Sequence, residues 1–134
     1  MKWVLDTNIL SYLLRSHASV RGRFNAARQA TDALLVLSPV VDYEVRRYLL
    51  LKGATRNLAQ YEALTAQWVE PPFYGAHRQQ AAALWAERHR RGQPIEDADL
   101  LIAVTALRQD ATLVTNNTGH FTGLGLRLED WSLS

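Results

Sequence analysis

Lys2-Trp3-Val4-Leu5-Asp6-Thr7-Asn8-Ile9-Leu10 changes character at its middle. Trp3-Val4-Leu5 is short and wholly apolar, which reads as a buried strand over residues 2–5. Asp6-Thr7-Asn8 is turn and N-cap chemistry, and Ile9-Leu10-Ser11-Tyr12-Leu13-Leu14 begins a helix placed over residues 7–15. Asp6 is therefore expected at the carboxyl end of the first strand, where open α/β sheets hold their ligands. Its plainer role is to cap the helix that follows.

The same alternation continues outward from this segment. A basic stretch from Arg15 to Arg28 is expected to contain a short helix, and Leu34-Leu35-Val36-Leu37 to form a second strand. Ser38-Pro39 introduces a helix over about 40–52, stopped by Gly53, and another covers about 55–67. Trp68-Val69-Glu70 reads as a third strand cut off by Pro71-Pro72. A long helix over about 74–91 ends at Gly92, and Pro94 to Asp97 opens a helix over 97–109. Residues 111–115 form a fourth strand and 126–128 a short last one. Strands alternating with helices argue for a parallel sheet with right-handed crossovers.

Composition narrows the class. A chain of 134 residues suits one domain over 1–134, and 48% apolar content supports a real core. No apolar run approaches the roughly 18 residues of a membrane span, so no membrane association is expected. Lys2 is followed at once by a strand and an acid, unlike a signal peptide. With no cysteine there is no disulfide, thiol nucleophile or Cys-based zinc site, which is compatible with a reducing cytosol. A cytoplasmic protein is the expectation. The formal charge is only +2. Setting aside Asp6, Glu44, Asp97 and Asp99 leaves nine acidic against fifteen basic side chains, or +6. That balance suits an acidic pocket in a mildly basic surface.

Two further acids are placed to join Asp6. Glu44 lies in Ser38-Pro39-Val40-Val41-Asp42-Tyr43-Glu44-Val45, one turn into its helix and beside Val40, Val41 and Tyr48. A solvated glutamate favoured by the helix dipole is its ordinary reading. Asp99 stands at the mouth of Leu100-Leu101-Ile102-Ala103-Val104, a helix apolar enough to be buried, where a carboxylate needs a partner or a cation. Asp97 is assigned mainly to capping that helix, because residues two apart do not share a helix face. The fourth strand runs into Thr115-Asn116-Asn117-Thr118-Gly119-His120-Phe121, whose amides suit a turn or a hydrogen bond to water or phosphate. Carboxylates brought together from separate elements suit Mg²⁺ or Mn²⁺, which take oxygen ligands and leave positions open for a phosphodiester. A metal-dependent nuclease follows as the expectation.

Other features are weaker. Arg15, Arg21, Arg23 and Arg28 form one basic group, Arg46, Arg47, Lys52 and Arg56 another, and Arg88, Arg90 and Arg91 a third. Each reads either as phosphate binding or as an ordinary solvated helix face. His17, His77, His89 and His120 show no metal-ligand spacing, though His120 is close in sequence to the expected site.

Leu5-Asp6-Thr7-Asn8-Ile9-Leu10, Tyr43-Glu44-Val45, Asp99-Leu100-Leu101-Ile102-Ala103 and Leu113-Val114-Thr115-Asn116-Asn117 with Phe121 come in one order. In that order they resemble the PIN-domain ribonucleases, and among them the VapC-like toxins of type II toxin–antitoxin modules. The resemblance spans essentially the whole chain, to Leu128-Glu129-Asp130-Trp131. It implies a PIN-like three-layer α/β/α fold around a mostly parallel sheet of four to five strands. It implies an endoribonuclease using Mg²⁺ or Mn²⁺, with Asp6, Glu44 and Asp99 as acidic metal-binding residues, and neutralised by a cognate antitoxin. A homodimer is also implied. Many relatives carry a fourth carboxylate near the end of the fourth strand, but none lies between Asp110 and Glu129 here. Asn117 is chosen for that position, with Asn116 and His120 nearby, while Thr7 and Asn8 either orient Asp6 or cap the first helix.

Two alternative functions fit the same sequence. The missing fourth acid suggests a catalytically weak PIN domain that binds RNA or protein without cleaving. An aspartyl phosphatase also places an aspartate after its first strand, but Asn8 stands where the second aspartate of an Asp-x-Asp pair belongs.

Overall fold

A computed structural model describes residues 1–133. Its first strand, β1 (Lys2–Leu5), carries Trp3, Val4 and Leu5 almost wholly buried. The chain then runs through α1 (Thr7–Leu14) and α2 (Ala18–Arg28) to β2 (Leu34–Val36). Four helices follow, α3 (Pro39–Leu51), α4 (Thr55–Thr65), α5 (Gly75–Arg90) and α6 (Asp97–Gln109). Strand β3 (Thr112–Val114), a 3-10 turn (Thr118–Phe121) and β4 (Arg127–Glu129) complete the sequence of elements.

The sheet has the order β2-β1-β3-β4, with every neighbouring pair parallel. Val4 faces Val36 on one side and Leu113 on the other, so the two central strands bring fully buried side chains together. Truncating Leu5 to alanine in such a core costs about 2–5 kcal/mol. From β1 the chain moves outward to β2, then crosses back to β3 on the opposite side of β1. The carboxyl ends of β1 and β3 therefore flank the topological switch point, where sheets of this kind bind ligands.

Local chemistry accounts for the boundaries. Ser38 caps α3 by accepting from the Val41 N–H, and Pro39 occupies its first turn. Gly53, in the left-handed region at φ 63°, follows the last residues of α3 and permits the reversal. The expected short helix within 15–28 is an eleven-residue helix, because Val20 and Phe24 bury one side of it.

Two expectations are corrected here. Trp68-Val69-Glu70 is not a strand: it contributes one isolated parallel bridge, Val69 to Val36, and the sheet has four strands. Val69 completes its backbone bonds to Leu35 and Leu37, after which Pro71 and Pro72 prevent any ladder from continuing. Asp97 does not cap α6. Glu96 holds the N-cap position, no side chain there accepts a capping hydrogen bond, and Asp97 is an exposed first-turn residue. Among the described residues, no helix is long and apolar enough to cross a membrane.

Candidate active site

Asp6 is positioned by the sheet itself. Its backbone N–H donates to Val114 O at 2.8 Å, extending the pairing of β1 with β3 by one residue. The side chain turns back into the gap between the two strand ends and is only 5% exposed. Its Oδ1 accepts from the Thr7 N–H at 2.8 Å, and its Oδ2 accepts from the Thr115 hydroxyl at 2.8 Å and the Asn8 amide at 3.2 Å. Burial pushes the Asp6 carboxyl above its ordinary range; the Thr115 and Thr7 hydrogen bonds pull against that, while the charges of Asp99 and Glu44 add to it. The carboxylates of α3 and α6 thus act on the one that follows β1.

Glu44 and Asp99 reach the same cavity from helices. The Thr7 hydroxyl donates to Glu44 Oε1 at 2.8 Å, and Arg47 lies 3.7 Å from Oε2. Asp99 Oδ2 is 3.2 Å from His120 Nδ1. The cavity has a volume of about 620 Å³ and its lining includes Asp6, Glu44, Asp99, Thr7, Asn8 and Asn117. Asp97 lies outside it, against Ala81, Trp85 and Leu101 on another face.

The Asn pair divides its work. Asn117 is exposed and lines the cavity, whereas Asn116 turns towards α1. The Asn116 N–H donates to Asn8 Oδ1 at 3.1 Å, and its side-chain amide donates to the Tyr12 hydroxyl at 3.2 Å. Asn8 therefore ties the ends of β1 and β3 together. Thr7 links Asp6 to Glu44, since its N–H and hydroxyl serve one carboxylate each. Both residues orient the acids as well as opening α1.

The residue missed by sequence reading is Thr115. It is fully buried, donates to Asp6 and accepts from the Asn117 N–H at 3.0 Å, so one hydroxyl holds both sides of the strand gap. A hydroxyl at the end of a buried strand, just before two turn-forming amides, is the signal for it in the sequence. The basic groups also resolve. Arg15, Arg47 and Lys52 line the cavity, while Arg46 is engaged by Asp42 and Glu62, and Arg88 by the carbonyls of Gln93 and Thr122.

The sequence model described as PIN domain matches residues 3–123. The chain belongs to the PIN-domain family. This PIN domain is 34% identical over 140 residues to the tRNA(fMet)-specific endonuclease VapC of Shigella flexneri, covering 98% of the chain and 99% of that relative. It is 27% identical over 135 residues to ribonuclease VapC2 of Haemophilus influenzae, covering 98% of each. Among solved structures it resembles VapBC2 from Rickettsia felis bound to a DNA fragment from their promoter, with a TM-score of 0.86 and 27% identity over 98% of this chain and 99% of that one. It also resembles DNA-bound VapBC from Salmonella typhimurium, at a TM-score of 0.78 and 27% identity over 98% of both chains. The domain is VapC-like, as the ordered motifs imply.

The donor set can be tested against a divalent cation. Among the described residues, no three His, Asp or Glu side chains are drawn together tightly enough to hold an ion as they stand. Mg²⁺ does not require that, since it keeps several waters and is held through one or two carboxylates. Three hard oxygen donors around one cavity, with the buried one titrating high beside the other two, form a set whose repulsion a dication relieves. The residues fit such an ion.

Proposed function

We propose that this PIN domain is a Mg²⁺- or Mn²⁺-dependent endoribonuclease that hydrolyses RNA phosphodiester bonds, and that it serves as the toxin of a type II toxin–antitoxin module. The observation that carries the reading is the meeting of Asp6, Glu44 and Asp99 in one cavity at the sheet's switch point. The ribonuclease names of its relatives support the chemistry, and the VapBC complexes among similar structures support a cognate antitoxin as partner. A homodimer is carried forward from the family resemblance alone.

Asp6 and Asp99 would hold the ion, with Glu44 completing the acidic set. When bound, the ion supplies Lewis-acid polarisation of the phosphodiester and lowers the pKa of the attacking water. The chain supplies everything else. Thr7, Asn8 and Thr115 fix both oxygens of Asp6, so its orientation is set before substrate arrives. Thr7 fixes one oxygen of Glu44 and leaves the other to Arg47. Asn117, a neutral amide facing the cavity, can donate to a phosphate oxygen or a water without adding negative charge.

The test is the cleavage pattern on total cellular RNA with Mg²⁺ and with chelator. Discrete fragments that appear only with the ion are expected. Identical fragments under chelation would remove the metal-dependent reading. RNA binding without any cleavage would favour the alternative of a binding module, which the absence of a carboxylate between Asp110 and Glu129 motivates.

A further inference from the structure

The cavity has two chemically different ends. Asp6 and Glu44 lie at the beginning of α1 and in the first half of α3, and these two helices pack against each other. At 1.5 Å per residue, Arg15 lies about 13 Å along the chain direction from Asp6, and Lys52 about 12 Å from Glu44. The cavity wall continues to both cations. Leu14, Val45 and Leu49 line the cavity with them, as does Tyr48, whose side chain is half-exposed. Neither Arg15 nor Lys52 has a carboxylate partner among the described residues. Their guanidinium and ammonium groups instead lie 5.1 Å and 5.8 Å from the ring centroids of Tyr12 and Tyr48.

We propose that this end of the cavity is a nucleotide subsite, in which Arg15 and Lys52 together hold one RNA phosphate flanking the scissile one and Tyr48 stacks a neighbouring base. The substrate identity rests on the nuclease reading above. Unpaired cations beside an acidic centre draw the polyanion across that centre, which three carboxylates alone would repel. A half-exposed aromatic ring among apolar lining residues takes an unstacked base by its π-face. Arg15 and Lys52 also sit at the C-terminal ends of α1 and α3, where a cation favours the helix dipole. That structural role predicts an effect on melting temperature and none on RNA. An acidic peptide partner would use the cations but has no base to stack on Tyr48.

Fluorescence anisotropy with a short labelled single-stranded RNA, in chelator so that nothing is cleaved, decides it. Arg15→Gln and Lys52→Gln should each flatten the dependence of log affinity on log salt, and the double variant should flatten it by about 0.7, the value for one phosphate contact on a single strand. Lys52→Arg should keep the wild-type slope. Tyr48→Ala should weaken binding roughly fivefold or more with the slope unchanged, and Tyr48→Phe should restore it. Arg28→Gln and Arg90→Gln, which remove cations outside the cavity, serve as controls. Wild-type slopes in both cavity variants, or equal flattening in the controls, would overturn the subsite. So would polyglutamate binding that is lost in the cavity variants while the RNA slope is unchanged. Mg²⁺-dependent cleavage by the wild type, measured in parallel, keeps the nuclease reading separate from this result. A wild type that cleaves but shows no slope at Arg15 or Lys52 loses only the subsite.

Discussion

Asp6 and Asp99 line one cavity under opposite conditions. Asp6 is buried at the end of a central strand and has both oxygens occupied by donors from α1 and the end of β3. Asp99 is about a quarter exposed at the start of α6, and its one side-chain polar partner among the described residues is the exposed imidazole of His120. The first is fixed by the fold, and the second is free to change partner. Glu44 lies between these cases, with one oxygen fixed by Thr7 and one facing Arg47. Under the proposed function this division would serve hydrolysis: one anchored carboxylate defines the position, and less committed ones would complete the set around ion and substrate.

The largest effects should come from removing either kind of acid. Asp6→Asn, Glu44→Gln and Asp99→Asn should each lower metal-dependent RNA cleavage by more than about a hundredfold while leaving a folded protein, since even outer partners of a metal site are worth 10–100-fold. Wild-type rates in two of the three folded variants would remove the assignment. Asp6 carries a second signature. Its folded-state carboxyl binds a proton more tightly than the ordinary value of 3.8, because burial disfavours the charge. Where the folded state holds more protons than the unfolded one, stability falls as pH rises. The metal-free wild type should therefore gain stability relative to Asp6→Asn as pH is lowered through the raised value towards 3.8. Melting temperatures of the two metal-free proteins across that window test this, and a difference of opposite sign would show that Asp6 is not destabilised by burial.

Thr115→Val tests the anchoring side alone. It removes the hydroxyl that serves Asp6 and receives the Asn117 N–H, in a place without solvent to replace it. A cost of about 1–3 kcal/mol is expected in thermal or denaturant unfolding. Cleavage by the folded fraction should drop about 10–100-fold, as for outer partners of metal ligands. Thr115→Ser, which keeps the hydroxyl, should recover most of both. If Thr115→Val is stable and fully active, Asp6 needs no such support.

The contrast also explains what was legible in the sequence. Asp6 could be read from its own segment, because a strand end and a helix start fix it within three residues. Glu44 and Asp99 were readable as helix positions, but their meeting depends on how α3 and α6 pack, and there the ordered family motifs carried the expectation. Thr115 was not readable, since its role is a contact across 109 residues of chain. The residues 68–70 misled because three apolar or extended-compatible residues before two prolines have strand composition, while the sheet had room only for one bridge. Asp97 misled because aspartate is a good cap wherever the helix begins one residue later, and α6 begins at Asp97 itself.

Asn117 offers a way to blur the contrast. It lines the cavity near the strand end, and an amide there cannot balance a second dication. Asn117→Asp should tighten metal binding in the absence of RNA by adding a charged oxygen donor. Asn117→Ala should lower cleavage less than Asp99→Asn, because orientation is lost and charge is not. Calorimetric titration of the RNA-free proteins separates the cases, and two tight sites in the wild type would refute this account.

The smallest effect should come from Asp97, which two positions in sequence separate from Asp99. A capping aspartate would be worth about 0.5–2 kcal/mol. No capping hydrogen bond is made here, and Asp97 faces solvent beside Trp85 on α5, outside the cavity lined by Asp6, Glu44 and Asp99. What remains is its favourable placement at the positive end of α6, worth about 0.3–1 kcal/mol and weakened by salt. Asp97→Ala should therefore lower stability by that smaller amount at low ionic strength and by less at high ionic strength. Metal affinity and cleavage should be unchanged. Asp97→Asn separates the two physical origins: an amide can still cap but carries no charge, so it should behave like alanine if only the dipole matters. Loss of metal binding in Asp97→Ala, with melting temperature unchanged, would place this carboxylate among the ligands and end the distinction drawn between the two faces of α6.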